Sequence, residues 1–193
     1  MNVRPPTEVS ALALDRLVEF QNDLPNMSPS ALYARHIIRP ESAVLTVAGS
    51  NELQTRFKAA FGATVEVRLV GSASCGFSLK QTQRYTPFDF ARSDLDVAMV
   101  DRELFDNIWQ DVHEFVNKNK YWAKLDDFRL YLYDGWIRPD YLPPRIGGRW
   151  FDFFRMLQSQ RIFGDLEIRA GLYASEYYLE YYQCKNILTC KQV

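Results

Sequence analysis

Two stretches decide how this chain is read: VEVRLVGS over residues 65–72 and SDLDVAMV over residues 93–100. The first alternates apolar and charged residues as a half-buried strand does, then runs into glycine. The second reads as a strand over 95–100 that carries two aspartates one residue apart. Strand side chains alternate faces with a period of two, so Asp94 and Asp96 point the same way. Two carboxylates held that close repel each other in a low dielectric unless a cation lies between them. Mg²⁺ suits such a pair, because it takes one or two carboxylates and completes its octahedron with water and phosphate oxygens. Gly71 lets the backbone approach a phosphate closely. The conjunction points to chemistry on nucleoside triphosphates.

Outward from this centre, the pattern predicts a helix over 7–21 with Thr7 or Ser10 as its cap, and a short helix over 29–37 capped by Ser28. The apolar run AVLTVA predicts a strand over 43–48, and a helix follows over 51–61, ended by Gly62. The Gly49-Ser50 pair after that run is a second Gly-Ser, but it has no Asp-x-Asp near it. Residues 73–93 read as a long polar loop. The most amphipathic segment is 102–118, with Leu104, Phe105, Ile108, Trp109, Val112, Phe115 and Val116 at helical steps. Residues 128–133 fit either a strand or a buried helical end. The segment 134–149 is rich in proline and glycine and reads as irregular. A helix over 150–160, a strand over 166–173 and a helix over 176–188 capped by Ser175 complete the chain. The expected architecture is α+β: one domain over 1–193, with a helical extension (1–42), a core (43–175) and a C-terminal helix (176–193).

Composition narrows the function classes. Hydrophobic residues make up 47% of the 193 positions, enough for a packed core and against a disordered chain. The net charge of −1 supplies no global basic field for nucleic acid. Three cysteines, at positions matching no zinc pattern, predict free thiols in a reducing cytoplasm. No apolar run approaches membrane-spanning length, and the N-terminus does not read as a secretory signal. The sequence contains neither a phosphate-binding GxxxxGK[ST] loop nor a GxSxG elbow.

A strand, Gly71-Ser72, a loop, then Ser93-Asp94-Leu95-Asp96-Val97 resembles the signature of the nucleotidyltransferase-fold family, the DNA polymerase beta superfamily, in a small stand-alone form. The resemblance implies a mixed sheet flanked by helices, with Gly71 and Ser72 beside the triphosphate at the start of a short helix. It implies Asp94 and Asp96 as ligands of two Mg²⁺ (or Mn²⁺) ions, with a third carboxylate on a neighbouring strand. Glu167, between Leu166 and Ile168, is the first candidate for that acid and Asp134 the second. Arg92 and Lys80 are candidates to offset triphosphate charge. The interval of 23 positions from Gly71 to Asp94 exceeds the compact family form and marks residues 77–92 as an insertion.

The implied activity is transfer of a nucleotidyl group from a nucleoside triphosphate, ATP among them, to a hydroxyl of RNA, protein or a small molecule. A toxin–antitoxin or anti-phage setting is the context the resemblance suggests. The alternative is a catalytically silent module of the same fold that binds a partner protein or a nucleotide. Asp-x-Asp alone is common on solvated strand edges, and Gly-Ser alone says almost nothing; their order on the chain carries the reading. The C-terminal tyrosines read first as packing and second as a stacking surface for a base. The arginines at 138, 145, 149, 155 and 161 read first as a solvated face and second as a surface for a phosphate-rich acceptor such as tRNA.

Overall fold

The computed structural model describes residues 2–39, 41–118 and 121–192. It contains a four-stranded mixed sheet in the order β1-β2-β4-β3. Strand β1 (Glu66–Val70) runs antiparallel to β2 (Leu95–Val100), which runs parallel to β4 (Ile168–Tyr173); the two-residue β3 (Trp136–Ile137) closes the edge antiparallel to β4. Leu69 pairs with Val97 and Val97 with Ala170, while Val70 pairs with Asp96 and Asp96 with Arg169. Side-chain alternation therefore gives the sheet one apolar face and one face that carries charge.

The apolar face packs on three helices: α3 (Val47–Phe61), α5 (Arg102–Asn117) and α7 (Pro144–Ser159). Leu53, Phe57 and Phe61 of α3 meet Phe105, Ile108 and Val112 of α5 and Trp150, Phe153 and Leu157 of α7 in one buried cluster with Val97, Met99 and Leu172. Phe57 lies edge-on to Phe153 at 4.9 Å between ring centroids and is fully buried. Truncating such a side chain to alanine costs about 3–5 kcal/mol. Helix α5 begins where its sequence says it should: Asp101 Oδ1 accepts from Leu104 N at 2.8 Å, an N-cap. Of its expected apolar residues, Phe105, Ile108 and Val112 are buried, whereas Trp109 is 47% exposed.

The opposite face is covered by the N-terminal segments and by α8 (Glu176–Lys191). Phe20 of α1 (Pro6–Asp23), Leu32 of α2 (Pro29–Leu32) and Ile37 of the π-helical turn Tyr33–Ile37 join Leu179, Ile187 and Cys190 of α8 against Val70, Ala98 and Tyr173. Tyr33 donates its hydroxyl to Glu176 Oε1 at 2.8 Å, tying the first helices to the last. Two shorter helices complete the set: α4 (Gly71–Cys75) and α6 (Leu125–Tyr133).

Several expectations are corrected. Residues 43–48 form no strand beyond a single bridge, Val3 to Leu45. Thr46 Oγ1 accepts from Gly49 N at 3.1 Å and caps α3, so the helix starts at Val47 and absorbs Gly49-Ser50. Helix α1 opens with proline in its first turn and has no side-chain cap, in place of Thr7 or Ser10. Of the two readings left open for residues 128–133, the structure has the helical one, the end of α6. The segment 134–149 is partly regular, since Trp136–Ile137 pairs with β4 and Pro144 starts α7. Ser175 precedes α8 but its side chain does not cap it. No helix among the described residues is long and apolar enough to cross a membrane.

Candidate functional site

The turn from β1 into α4 fixes one side of the site. Gly71 sits at φ +63°, in the left-handed region, and opens the five-residue helix α4 together with Ser72. A Cβ built at residue 71 would lie 3.0 Å from Asp96 Oδ2. Glycine is thus favoured here by its backbone angle, and any side chain would also crowd the carboxylate. The main-chain corner and the acid meet without a side chain between them.

Asp94 immediately precedes β2 and Asp96 lies within it, one residue after the fully buried Leu95. Both side chains stand on the charge-bearing face. Burial raises the Asp96 carboxyl above its ordinary range, the negative charge of Asp94 adds to the rise, and the positive charges of Lys80, Arg169 and Arg138 oppose it. Burial raises Asp94 as well; Arg169 and Lys80 oppose that rise and Glu167 adds to it. Each carboxylate is therefore held where its charge is costly, which favours a bound cation.

The neighbouring strand supplies both an acid and a base. Glu167 lies one residue before β4, where its carbonyl accepts from Leu95 N at 2.8 Å. Arg169 stands opposite Asp96 in the parallel register. Its guanidinium reaches Asp94 Oδ2 at 3.2 Å and Glu167 Oε2 at 3.3 Å. One side chain thus spans the two acids, and the hydrogen bond to Glu167 raises the Arg169 pKa further.

The structure gathers Gly71, Asp94, Asp96, Lys80 and Glu167 at one end of the sheet, with Ser72 beside Gly71. Arg92 is 84% exposed in the preceding loop and bonds to Asp89 at 2.7 Å. Asp134 follows α6 and pairs with Lys185 at 3.2 Å. Sequence reasoning missed Arg169. Its alternation with Glu167 on the final strand was the available signal, since residues two apart on a strand share a face.

Two observations bear on a metal. The paired carboxylates of Asp94 and Asp96 are the kind of donor set Mg²⁺ uses when a substrate's phosphates supply further oxygens, and burial makes the charge of each costly without a counter-charge. Among the described residues, no group of three or more histidine, cysteine, aspartate or glutamate side chains is arranged to hold a metal ion.

An aromatic wall borders the acids. Trp136 lies over Gly171, two residues along β4 from Arg169, stacked with Tyr173 at 5.5 Å and tilted against Tyr182 at 4.6 Å. Arg138 lies 4.4 Å from the Tyr141 ring centroid and bonds both oxygens of Asp140. A cavity of about 540 Å³ opens at the far end of the strands, lined by Thr64, Arg68, Asp101, Ser175 and Glu176 among others. Asp94 and Asp96 do not line it. The acid cluster is the better candidate, because it alone combines strained charge with a glycine-permitted approach of main chain.

Comparison with known proteins returns no match: no family model, no curated protein and no solved structure is similar to the chain.

Proposed function

We propose that the chain is a nucleotidyltransferase-like protein that binds a Mg²⁺ (or Mn²⁺) nucleoside triphosphate at the Gly71 corner and transfers a nucleotidyl group to an acceptor hydroxyl, breaking the α–β phosphoanhydride bond and releasing pyrophosphate. The observation that carries this reading is the contact between Gly71 and Asp96: a left-handed glycine pressed against an acid whose charge is disfavoured by burial. The antiparallel β1-β2 and parallel β2-β4 pairings support it, since they bring the Gly-Ser turn, the Asp-x-Asp strand and the strand after Glu167 side by side.

In this reading Asp94 and Asp96 would hold the ion. A bound divalent ion supplies neutralisation of the triphosphate and a lowered pKa for the attacking hydroxyl. Ser72 donates its hydroxyl to a phosphate oxygen. Lys80, whose charge already acts on both aspartates, offsets the charge of the triphosphate. Glu167 accepts the proton of the acceptor hydroxyl once it is free of Arg169. The acceptor classes of this reading are a hydroxyl of RNA, of protein or of a small molecule.

A second reading is favoured by one observation, the placement of a base, Arg169, opposite Asp96. There the fold is kept for binding a nucleotide or a partner protein and the chemistry is lost. Incubation with triphosphates labelled at the α-phosphate, Mg²⁺ or Mn²⁺, and total cellular RNA and protein separates the two. Transfer predicts label in one fraction with the parent chain and none with Asp94→Ala/Asp96→Ala. Tight metal-dependent binding with no labelled fraction identifies the silent module. A double variant that binds Mg²⁺-triphosphate as tightly as the parent removes the site assignment.

A further inference from the structure

We propose that Arg169 is the resident counter-ion of the acid cluster, competing with the divalent cation at Asp94 and released onto the triphosphate when nucleotide arrives. The inference rests on the nucleotide-binding reading and deepens it, because it assigns the order in which metal and nucleotide bind. Three acids, Asp94, Asp96 and Glu167, share this corner with the charges of three cations, Arg169, Lys80 and Arg138. Of the three, Arg169 makes direct contact with the acids, through Nε to Asp94 Oδ2 at 3.2 Å and through its terminal nitrogen to Glu167 Oε2 at 3.3 Å. A guanidinium at Asp94 Oδ2 and a metal ion on the same oxygen repel each other, so a free divalent ion must displace Arg169 to bind.

The side chain is built for displacement. It is 60% exposed and Glu167 on its other side is 63% exposed, whereas Asp94 is 22% exposed, so the guanidinium reaches a half-buried acid from the solvent side and can swing away through water. Arg169 also lies in the one cross-strand row, Val70, Asp96 and Arg169, that leads back to the Gly71 corner. A triphosphate seated at that corner would offer the guanidinium the bidentate anion it prefers. Moving Arg169 from carboxylate to phosphate frees Asp94 for metal and Glu167 for proton transfer in one step. Metal and triphosphate then bind with positive coupling, and linkage requires each to raise the other's affinity by the same factor.

The test measures free Mn²⁺ by electron paramagnetic resonance during titration of the full chain, with and without a non-hydrolysable ATP analogue. It compares the parent, Arg169→Gln, Arg169→Lys and Asp94→Ala/Asp96→Ala. A unit charge about 4 Å from a divalent ion in bulk water is worth roughly thirtyfold in affinity, and salt screening brings this to about tenfold. Arg169→Gln is therefore expected to bind Mn²⁺ alone about tenfold more tightly than the parent, to bind the analogue more weakly, and to lose most of the coupling between them. Arg169→Lys keeps the charge and is expected to stay near the parent for Mn²⁺ alone. Equal Mn²⁺ affinity for Arg169→Gln and the parent, with binding abolished in the double aspartate variant, overturns the counter-ion role and leaves the site standing. Failure of both the parent and Arg169→Gln to bind Mn²⁺, with or without the analogue, overturns the role and the nucleotide reading together.

Discussion

Gly71 and Asp96 approach so closely that a Cβ at residue 71 would stand 3.0 Å from Asp96 Oδ2 and make the carboxylate shift, while the backbone is held at φ +63°. Gly71→Ala meets both obstacles. The left-handed conformation alone costs an L-residue about 1–2 kcal/mol. The variant is expected to lose about that much stability in urea unfolding and to bind Mg²⁺-triphosphate more weakly by calorimetry. Unchanged binding and unchanged stability together would mean that the corner is not constrained as described.

The raised pKa of Asp96 has a definite sign in stability. Its folded value lies above its unfolded value because burial disfavours the charge. Above the folded value both states are ionised and the buried charge destabilises the fold in full. As pH falls through the folded value toward the unfolded one, the folded chain takes up the proton first and the penalty disappears. Asp96→Asn is therefore expected to melt above the parent at neutral pH, with the gap closing as the solution is acidified toward the ordinary carboxylate range. A gap that widens on acidification would contradict the burial argument.

Gly171 makes space for the aromatic wall. A Cβ there would fall 2.1 Å from Trp136 Nε1, a nitrogen that is buried without a hydrogen-bond partner. Gly171→Ala must push the indole off the sheet, and overpacking of this kind costs about 1–3 kcal/mol. Near-ultraviolet circular dichroism and urea unfolding should register the lost stacking on Tyr173 and the lower midpoint. A spectrum identical to the parent's would show that the indole is not anchored there.

Burial pushes the Cys75 thiol up to about 11. Burial raises the thiols of Cys190 and Cys184 as well, but Cys190 is buried whereas Cys184 is only half-buried and open to reagent. Thiolate is the reactive form. Iodoacetamide at pH 8 should therefore modify Cys184 first in the folded chain and reach Cys75 only after unfolding, as read by peptide mass spectrometry. Rapid native labelling of Cys75 would place that thiol at the surface.

Much of this architecture is legible in the residues. Strand β2 and helix α5 begin and end within a residue of their expected bounds, because alternation in one and a 3.6-residue stripe in the other are strong local signals. Local pattern failed where tertiary context decides. The apolar run at 43–48 looks like a strand, yet Val44 and Leu45 are buried as a connection and Thr46 turns the chain into α3. Pro143 and Pro144 look like loop residues, yet the second opens a 16-residue helix, where a missing amide proton costs nothing. The site divides the same way. The shared orientation of Asp94 and Asp96 follows from spacing alone. That Arg169 would face Asp96 depends on the parallel register of β2 and β4, which no short-range pattern encodes.

The hydroxyl of Tyr33 bound to Glu176, across 143 positions of chain, has a consequence for biosynthesis. During translation the helices of the apolar layer up to α5 and the N-terminal segments can begin to pack early, but β2 lacks its parallel neighbour and the α8 part of its cover until residues 168–191 have left the ribosome. The acid-bearing surface is therefore completed last, and a nascent chain stalled before β4 would display the unpaired edge of β2, a sticky state for chaperones to shield.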